Sequence, residues 1–170
     1  SILYELSLSI GSSLDLKTNC DAFLKTLMAR KGLTFASIWI YDEYVKGIEK
    51  SGRATMVYAN PWSYINDREL PLTHPLFSAV RDTQSISLAY GQEGFSDIIT
   101  EKGINKGAFA IFALMGIGVL KIYDMTRTEP FPQKELNQLA GIMAKFATSL
   151  EGCLFHEQVV REIAERKRME

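Results

Sequence analysis

The chain has 170 residues, 46% of them hydrophobic and 23% charged. That is the composition of one ordinary globular domain, large enough to bury about two thirds of its unfolded surface without a metal or disulfide staple. A net charge of -1 and a pI near 6.2 exclude a general basic footprint for nucleic acid. The two cysteines, Cys20 and Cys153, have no CxxC partner and no histidine at metal spacing, which argues against zinc and dithiol chemistry and for buried free thiols in a reducing cytoplasm. The longest apolar run, from Gly107 to Leu120, is too short to span a bilayer, so no membrane contact is expected from this segment, although the parent protein could be membrane-attached.

Leu3, Leu6 and Ile10 mark a first helical stripe, interrupted at Gly11-Ser12-Ser13. Asp15 then caps a second helix with Leu16, Cys20, Phe23, Leu24, Leu27 and Met28 on one face, closed by Lys31-Gly32. Phe35 to Tyr41 is aromatic and β-branched, a strand. By alternation it sends Trp39 and Tyr41 to one face, Ile38 and Ile40 to the other. A polar turn from Asp42 to Gly52 leads to a second strand, Arg53 to Ala59, which Asn60-Pro61 breaks. Thr73 is the expected cap of a short helix that carries Pro75 in its first turn and ends near Asp82-Thr83. Ser85 to Tyr90 reads as a third strand, and a glycine-punctuated loop from Gly91 to Lys106 holds a helical turn or two near Phe95. Ala108 to Leu114 and Ile117 to Tyr123 form a hairpin about Met115-Gly116. Pro132 opens a long terminal helix from about Gln133, which reaches charged residues Arg161 to Glu170 with no capping Gly, Asn or Pro. Hairpin-paired strands with helices at both ends predict an α+β fold on a mainly antiparallel sheet of five to six strands.

Gly116-Ile117-Gly118-Val119-Leu120-Lys121-Ile122-Tyr123 resembles the late strand of GAF domains, the small sensory modules of signalling enzymes. Phe131 with Glu135-Leu136 resembles the start of that family's terminal helix, Leu3 to Leu14 its leading helix, and Glu162 to Glu170 the linker into a PAS domain or a kinase dimerisation helix. The resemblance implies terminal helices on one sheet face and short helices and loops over a ligand pocket on the other. It implies a GAF-like sensory domain over residues 1–155 and the start of a linker to a downstream domain over 156–170. Trp39, Tyr41, Tyr58, Phe77, Phe95, Phe109 and Tyr123 are the candidate lining of the pocket, although for any single one of them a plain aromatic core is the stronger reading.

The ligand stays unassigned. The family's cyclic-nucleotide signature, Asn-Lys followed by Phe and Asp-Glu, is absent, since Tyr123-Asp124 and Phe131-Pro132-Gln133 stand there. The cysteines fall in the terminal helices without a neighbouring histidine, which disfavours bilin attachment and the family's methionine sulfoxide reductase chemistry. His74, before Pro75, is expected to cap or face solvent rather than bind haem or metal, and His156 to lie on the last helix at its surface or at an interface.

Along that helix Leu136, Leu139, Met143, Phe146, Leu150, Cys153, Glu157 and Val160 keep alternating steps of three and four, a heptad seam. The seam predicts a homodimer through the terminal helices, continuing through Ile163; the alternative is one amphipathic helix packed on its own sheet. The resulting expectation is a non-catalytic sensor relaying a signal to an output domain, a histidine kinase above all. The alternative is a ligand-free dimerisation spacer.

Overall fold

The structure, a computed structural model, describes residues 2–170. Helix α1 (Ile2–Leu8) and helix α2 (Leu16–Lys31) come first. As expected, Asp15 caps α2: its carboxylate accepts from the Thr18 backbone N–H at 3.0 Å and the Thr18 hydroxyl at 2.7 Å. Gly32 closes α2 in the left-handed conformation at φ 64°.

Strand β1 (Phe35–Tyr41) runs directly into a short helix α3 (Asp42–Lys46), where the sequence suggested only a polar turn. Strand β2 (Arg53–Asn60) follows, and after a 3₁₀ turn at Trp62–Tyr64 comes a three-residue edge strand, β3 (Glu69–Pro71), which the sequence did not reveal. Helix α4 (Pro75–Ser78) is a single turn. Its cap is His74, not Thr73: the imidazole Nδ1 accepts from the Leu76 N–H at 3.0 Å. Strand β4 (Ser85–Ala89), helix α5 (Phe95–Ile98), strands β5 (Ala108–Leu114) and β6 (Gly118–Asp124) and helix α6 (Gln133–Met169) complete the chain.

The strands form one antiparallel sheet in the order β3-β2-β1-β6-β5-β4. The β5–β6 hairpin closes through Met115 and Gly116, both at positive φ (37° and 82°), with the Ile117 N–H bonded to Leu114 C=O at 2.9 Å.

One face of the sheet carries Ile38, Ile40, Ala110, Phe112, Leu120 and Ile122, and α1, α2 and α6 cover it. Phe23 of α2 stacks on Phe146 of α6 with ring centroids 4.1 Å apart. Asn19, fully buried, donates to Ser149 Oγ at 2.7 Å and accepts from the Gly11 N–H at 2.9 Å, tying α2, α6 and the α1–α2 turn together. Glu135 at the start of α6 bridges Lys31 of α2 and Arg127 of the preceding loop, each at 2.9 Å.

Helix α6 is unbroken over 37 residues, about 55 Å, and continues through positions 155 and 156 without a kink residue. Leu136, Leu139, Met143, Phe146, Leu150 and Cys153 are all buried in their own domain. The sheet, α1 and α2 cover the stripe that these six residues form. From Phe155 onward no residue of α6 is buried, and Val160 and Ile163 are about half exposed.

Candidate functional site

The opposite face of the sheet carries a second apolar cluster beneath α4, α5 and their loops. Alternation along β1 delivers Phe35, Ser37 and Trp39 to it; along β6 it delivers Val119, Lys121 and Tyr123; along β5, Phe109 and Ile111. Of the candidate residues, Trp39, Phe77, Phe95, Phe109 and Tyr123 are buried in this cluster and Tyr41 packs against it from the rim. Phe77 of α4 meets Trp39 and Tyr41 edge-on, with centroids 5.9 and 6.4 Å apart, and Phe95 of α5 lies 5.2 Å from Phe109.

Tyr58 is the exception. It packs with the helix-face cluster, and its hydroxyl bonds Asp21 of α2. The cause is a β-bulge: Ile38 pairs with Tyr58 but Trp39 pairs with Met56, so Val57 is an extra residue in β2. Ala54 and Met56 keep the aromatic face, and the bulge turns Tyr58 over.

At the centre of the aromatic face lies a polar group that the sequence reading passed over. Lys121, fully buried, donates to Glu101 Oε1 at 2.6 Å and Oε2 at 3.2 Å, and to the Ile98 carbonyl at 3.3 Å. Its ammonium lies 5.5 Å from the centre of the Phe109 ring. Burial works against this ammonium and lowers its pKa; the charge and hydrogen bond of Glu101 oppose that shift. Glu101 also accepts from the Thr100 hydroxyl at 2.6 Å. Directly across the ladder from Lys121 stands Ser37. Its Oγ is buried with no hydrogen-bond partner, and so is Trp39 Nε1 two residues along the same face. An ammonium, a hydroxyl and an indole N–H thus share one floor, the last two unsatisfied. A single lysine in an apolar strand (Val119 to Tyr123) was the signal available in the sequence.

The covering segment is tied down at three points. Glu101 reaches Lys121; the Lys102 N–H bonds the Tyr64 carbonyl at 2.9 Å; and the Tyr123 hydroxyl bonds the Lys106 carbonyl. His74 stands near enough to feel Lys121, Asp67 and Glu101; burial, with the Lys121 charge, lowers its pKa. Its Nδ1 is occupied by the α4 cap, and no group of ligands suited to a metal ion occurs among the described residues. At the rim a cleft of about 330 Å³ runs between α3, α4 and the β5–β6 turn, lined in part by Tyr41, Glu43, Lys50, Phe77 and Arg81. Glu43 leaves one buried carboxylate oxygen without a partner there.

Both thiols lie in the other cluster, on α2 and α6. Burial pushes the Cys20 thiol far up and raises that of Cys153 as well, so neither is a ready nucleophile. No helix among the described residues is long and apolar enough to cross a membrane.

No family model matches this chain, and no curated protein matches it. Solved structures do. The GAF domain of an Acinetobacter phosphoenolpyruvate-protein phosphotransferase superposes with a TM-score of 0.70 at 17% identity, covering 94% of this chain and 93% of that one. The free methionine-R-sulfoxide reductase of Neisseria meningitidis, in complex with its substrate, gives 0.71 at 13% identity over 89% and 87%. Residues 122 to 287 of a methyl-accepting chemotaxis protein give 0.63 at 12% identity over 90% and 96%. At these identities the likeness is one of fold, and the fold is GAF-like.

Proposed function

We propose that this chain is a non-catalytic sensory GAF module, in which a small molecule held on the aromatic face of the sheet biases the position of α6 and, through it, an output domain. The observation that carries the reading is the pair of unsatisfied buried groups, Ser37 Oγ and Trp39 Nε1, set among aromatic side chains. Apolar walls with a few convergent polar groups are the usual make-up of a small-molecule site. The transmission route is short: Lys121 and Val119 face the ligand side, while Leu120 and Ile122 between them pack towards the helices. A ligand shifts the helices only by the difference in its affinity for two arrangements.

The output we propose is a histidine kinase in the cytoplasm, on the resemblance of Glu162 to Glu170 to the linkers that lead into such enzymes. Regulatory use of the fold is supported by its occurrence in a phosphotransferase and a chemotaxis protein. A homodimer through the exposed end of α6 fits the same scheme, now resting on Phe155, Val160 and Ile163 rather than on the buried seam.

Those exposed residues also favour a second reading, a ligand-free dimerisation spacer. A metabolite screen by thermal unfolding separates the two. A ligand at 100 times its dissociation constant stabilises a sensor by about 2.7 kcal/mol, and a spacer responds to nothing. Sedimentation of the chain beside a Val160→Glu, Ile163→Glu variant tests the dimer; equal monomeric mass for both rules it out.

A further inference from the structure

We propose that Glu101 is a built-in stand-in for the ligand, and that the ligand is a small carboxylate with an apolar or aromatic tail, which takes the place of Glu101 on Lys121 and frees the segment between α5 and β5. The inference rests on the sensory reading above and gives that site a ligand class and a mechanism.

Lys121 is fixed in the middle of β6, flanked by Ser37 on β1 and Ile111 on β5, so its ammonium has no route to water. A charge held there is costly unless an anion pairs it. Glu101 supplies it from a loop, not from the sheet, and that loop contains Gly103 at φ 71° and ends at Gly107 at φ 89°. Exchange of one carboxylate for another keeps the ammonium paired throughout, and Glu101 recovers its hydration once it swings out. The exchange is therefore nearly neutral in charge energy, and the remaining contacts decide it.

Those contacts favour a ligand over Glu101. The bound Glu101 accepts from Lys121 and Thr100 only, and leaves Ser37 Oγ and Trp39 Nε1 without partners. Ser37, directly across the ladder from Lys121, and Trp39 on the same face are the unpartnered donors that a free carboxylate, unconstrained by the loop backbone, would recruit beside Lys121. Charge-assisted hydrogen bonds of this kind are the strong ones. Phe109 lies 5.5 Å from the ammonium, and Phe95, Phe77 and Tyr123 belong to the same apolar cluster, which suits an apolar tail. A neutral ligand leaves the Lys121–Glu101 pair in place; a cationic one faces Lys121 at close range.

The test uses the chain of residues 1–170, with phenylacetate as probe and phenylacetamide as its uncharged counterpart. Calorimetry should show phenylacetate binding to the wild type, at least about tenfold tighter binding to Glu101→Gln, where the competing carboxylate is gone, and no binding to Lys121→Met. Phenylacetamide should bind none of them. Equal binding to Lys121→Met, or binding to Glu101→Gln without any to the wild type, overturns the exchange. Hydrogen exchange on the wild type provides a readout that needs no variant: phenylacetate should speed exchange at residues 99–106 while slowing it in β1, and slower or unchanged exchange at 99–106 overturns the proposal. If a metabolite without an anionic group stabilises the wild type and every carboxylate is silent, this inference fails and the sensory reading stands. Silence to all small molecules removes both.

Discussion

Lys121 Nζ and Glu101 Oε1 lie 2.6 Å apart with 0% and 2% of their side chains exposed, so a buried cation on the sheet's aromatic face is matched by a carboxylate from a loop. The two partners are not equivalent. Lys121 is locked in a central strand, whereas Glu101 is carried by a loop. Removing the carboxylate strands a buried charge and should cost about 3–5 kcal/mol. Lys121→Met should cost less, about 1–3 kcal/mol, because Glu101 can turn to water. Urea unfolding of Glu101→Leu, Lys121→Met and the double variant should show a double loss well below the sum; simple additivity contradicts the pairing.

At Gly118, β6 runs close against the backbone of β1. A Cβ there would stand 1.9 Å from the Trp39 carbonyl oxygen, a backbone atom with no room to yield. Gly118→Ala should destabilise by at least about 1–3 kcal/mol and disturb the aromatic face at Trp39. Gly141 on the exposed side of α6 has nothing within 4 Å of its Cβ position. There an alanine should stabilise by about 0.4–1 kcal/mol, which thermal unfolding will register with the opposite sign.

Stability should fall in acid partly through Glu135. Burial works to raise the pKa of this carboxyl, but hydrogen bonds from Arg127 and Lys31 and their charges outweigh it, and the net shift is downward from 4.5. A carboxylate with a depressed folded pKa contributes stability that is complete above its unfolded pKa of about 4.3. That contribution disappears as pH falls through the lower, folded value. Urea midpoints at about pH 7 and about pH 3 should therefore differ less for Glu135→Gln than for the wild type.

The two halves of α6 should answer differently to truncation of their apolar side chains. Leu150 is fully buried, and Leu150→Ala should cost about 2–5 kcal/mol. Val160 is 51% exposed, and Val160→Ala should change the stability of the isolated domain by no more than about 0.5 kcal/mol. Comparable losses at both positions would mean that the end of α6 is held by a partner in solution.

Much of the architecture was legible in local sequence. The Asp15 cap, the β-rich run Phe35 to Tyr41, the hairpin at Met115-Gly116 and the helix after Pro132 all follow from short-range stereochemistry, which residues express wherever they stand. The α+β class and the two faces of β1 followed from those elements by periodicity. What failed had long-range causes. β3 exists because β2 offers an edge to it, not because Glu69-Leu70-Pro71 has strand character. Tyr58 changed faces through one extra residue in a pairing register, to which simple alternation is blind. The heptad spacing of α6 was read correctly, but a stripe of apolar residues does not state its partner, and here the domain itself buries it as far as Leu154.

The sequence by itself therefore determined most of the helices and strands and, away from the bulge in β2, which side chains share a face, because propensity and period act over a few residues. Only the tertiary structure decided what those faces meet. It joined Lys121 to Glu101 across 20 positions of chain, set Ser37 and Trp39 beside them without partners, and left the last turns of α6 bare. Burial and charge pairing are properties of the assembled sheet and its covering loops, and no local pattern encodes them.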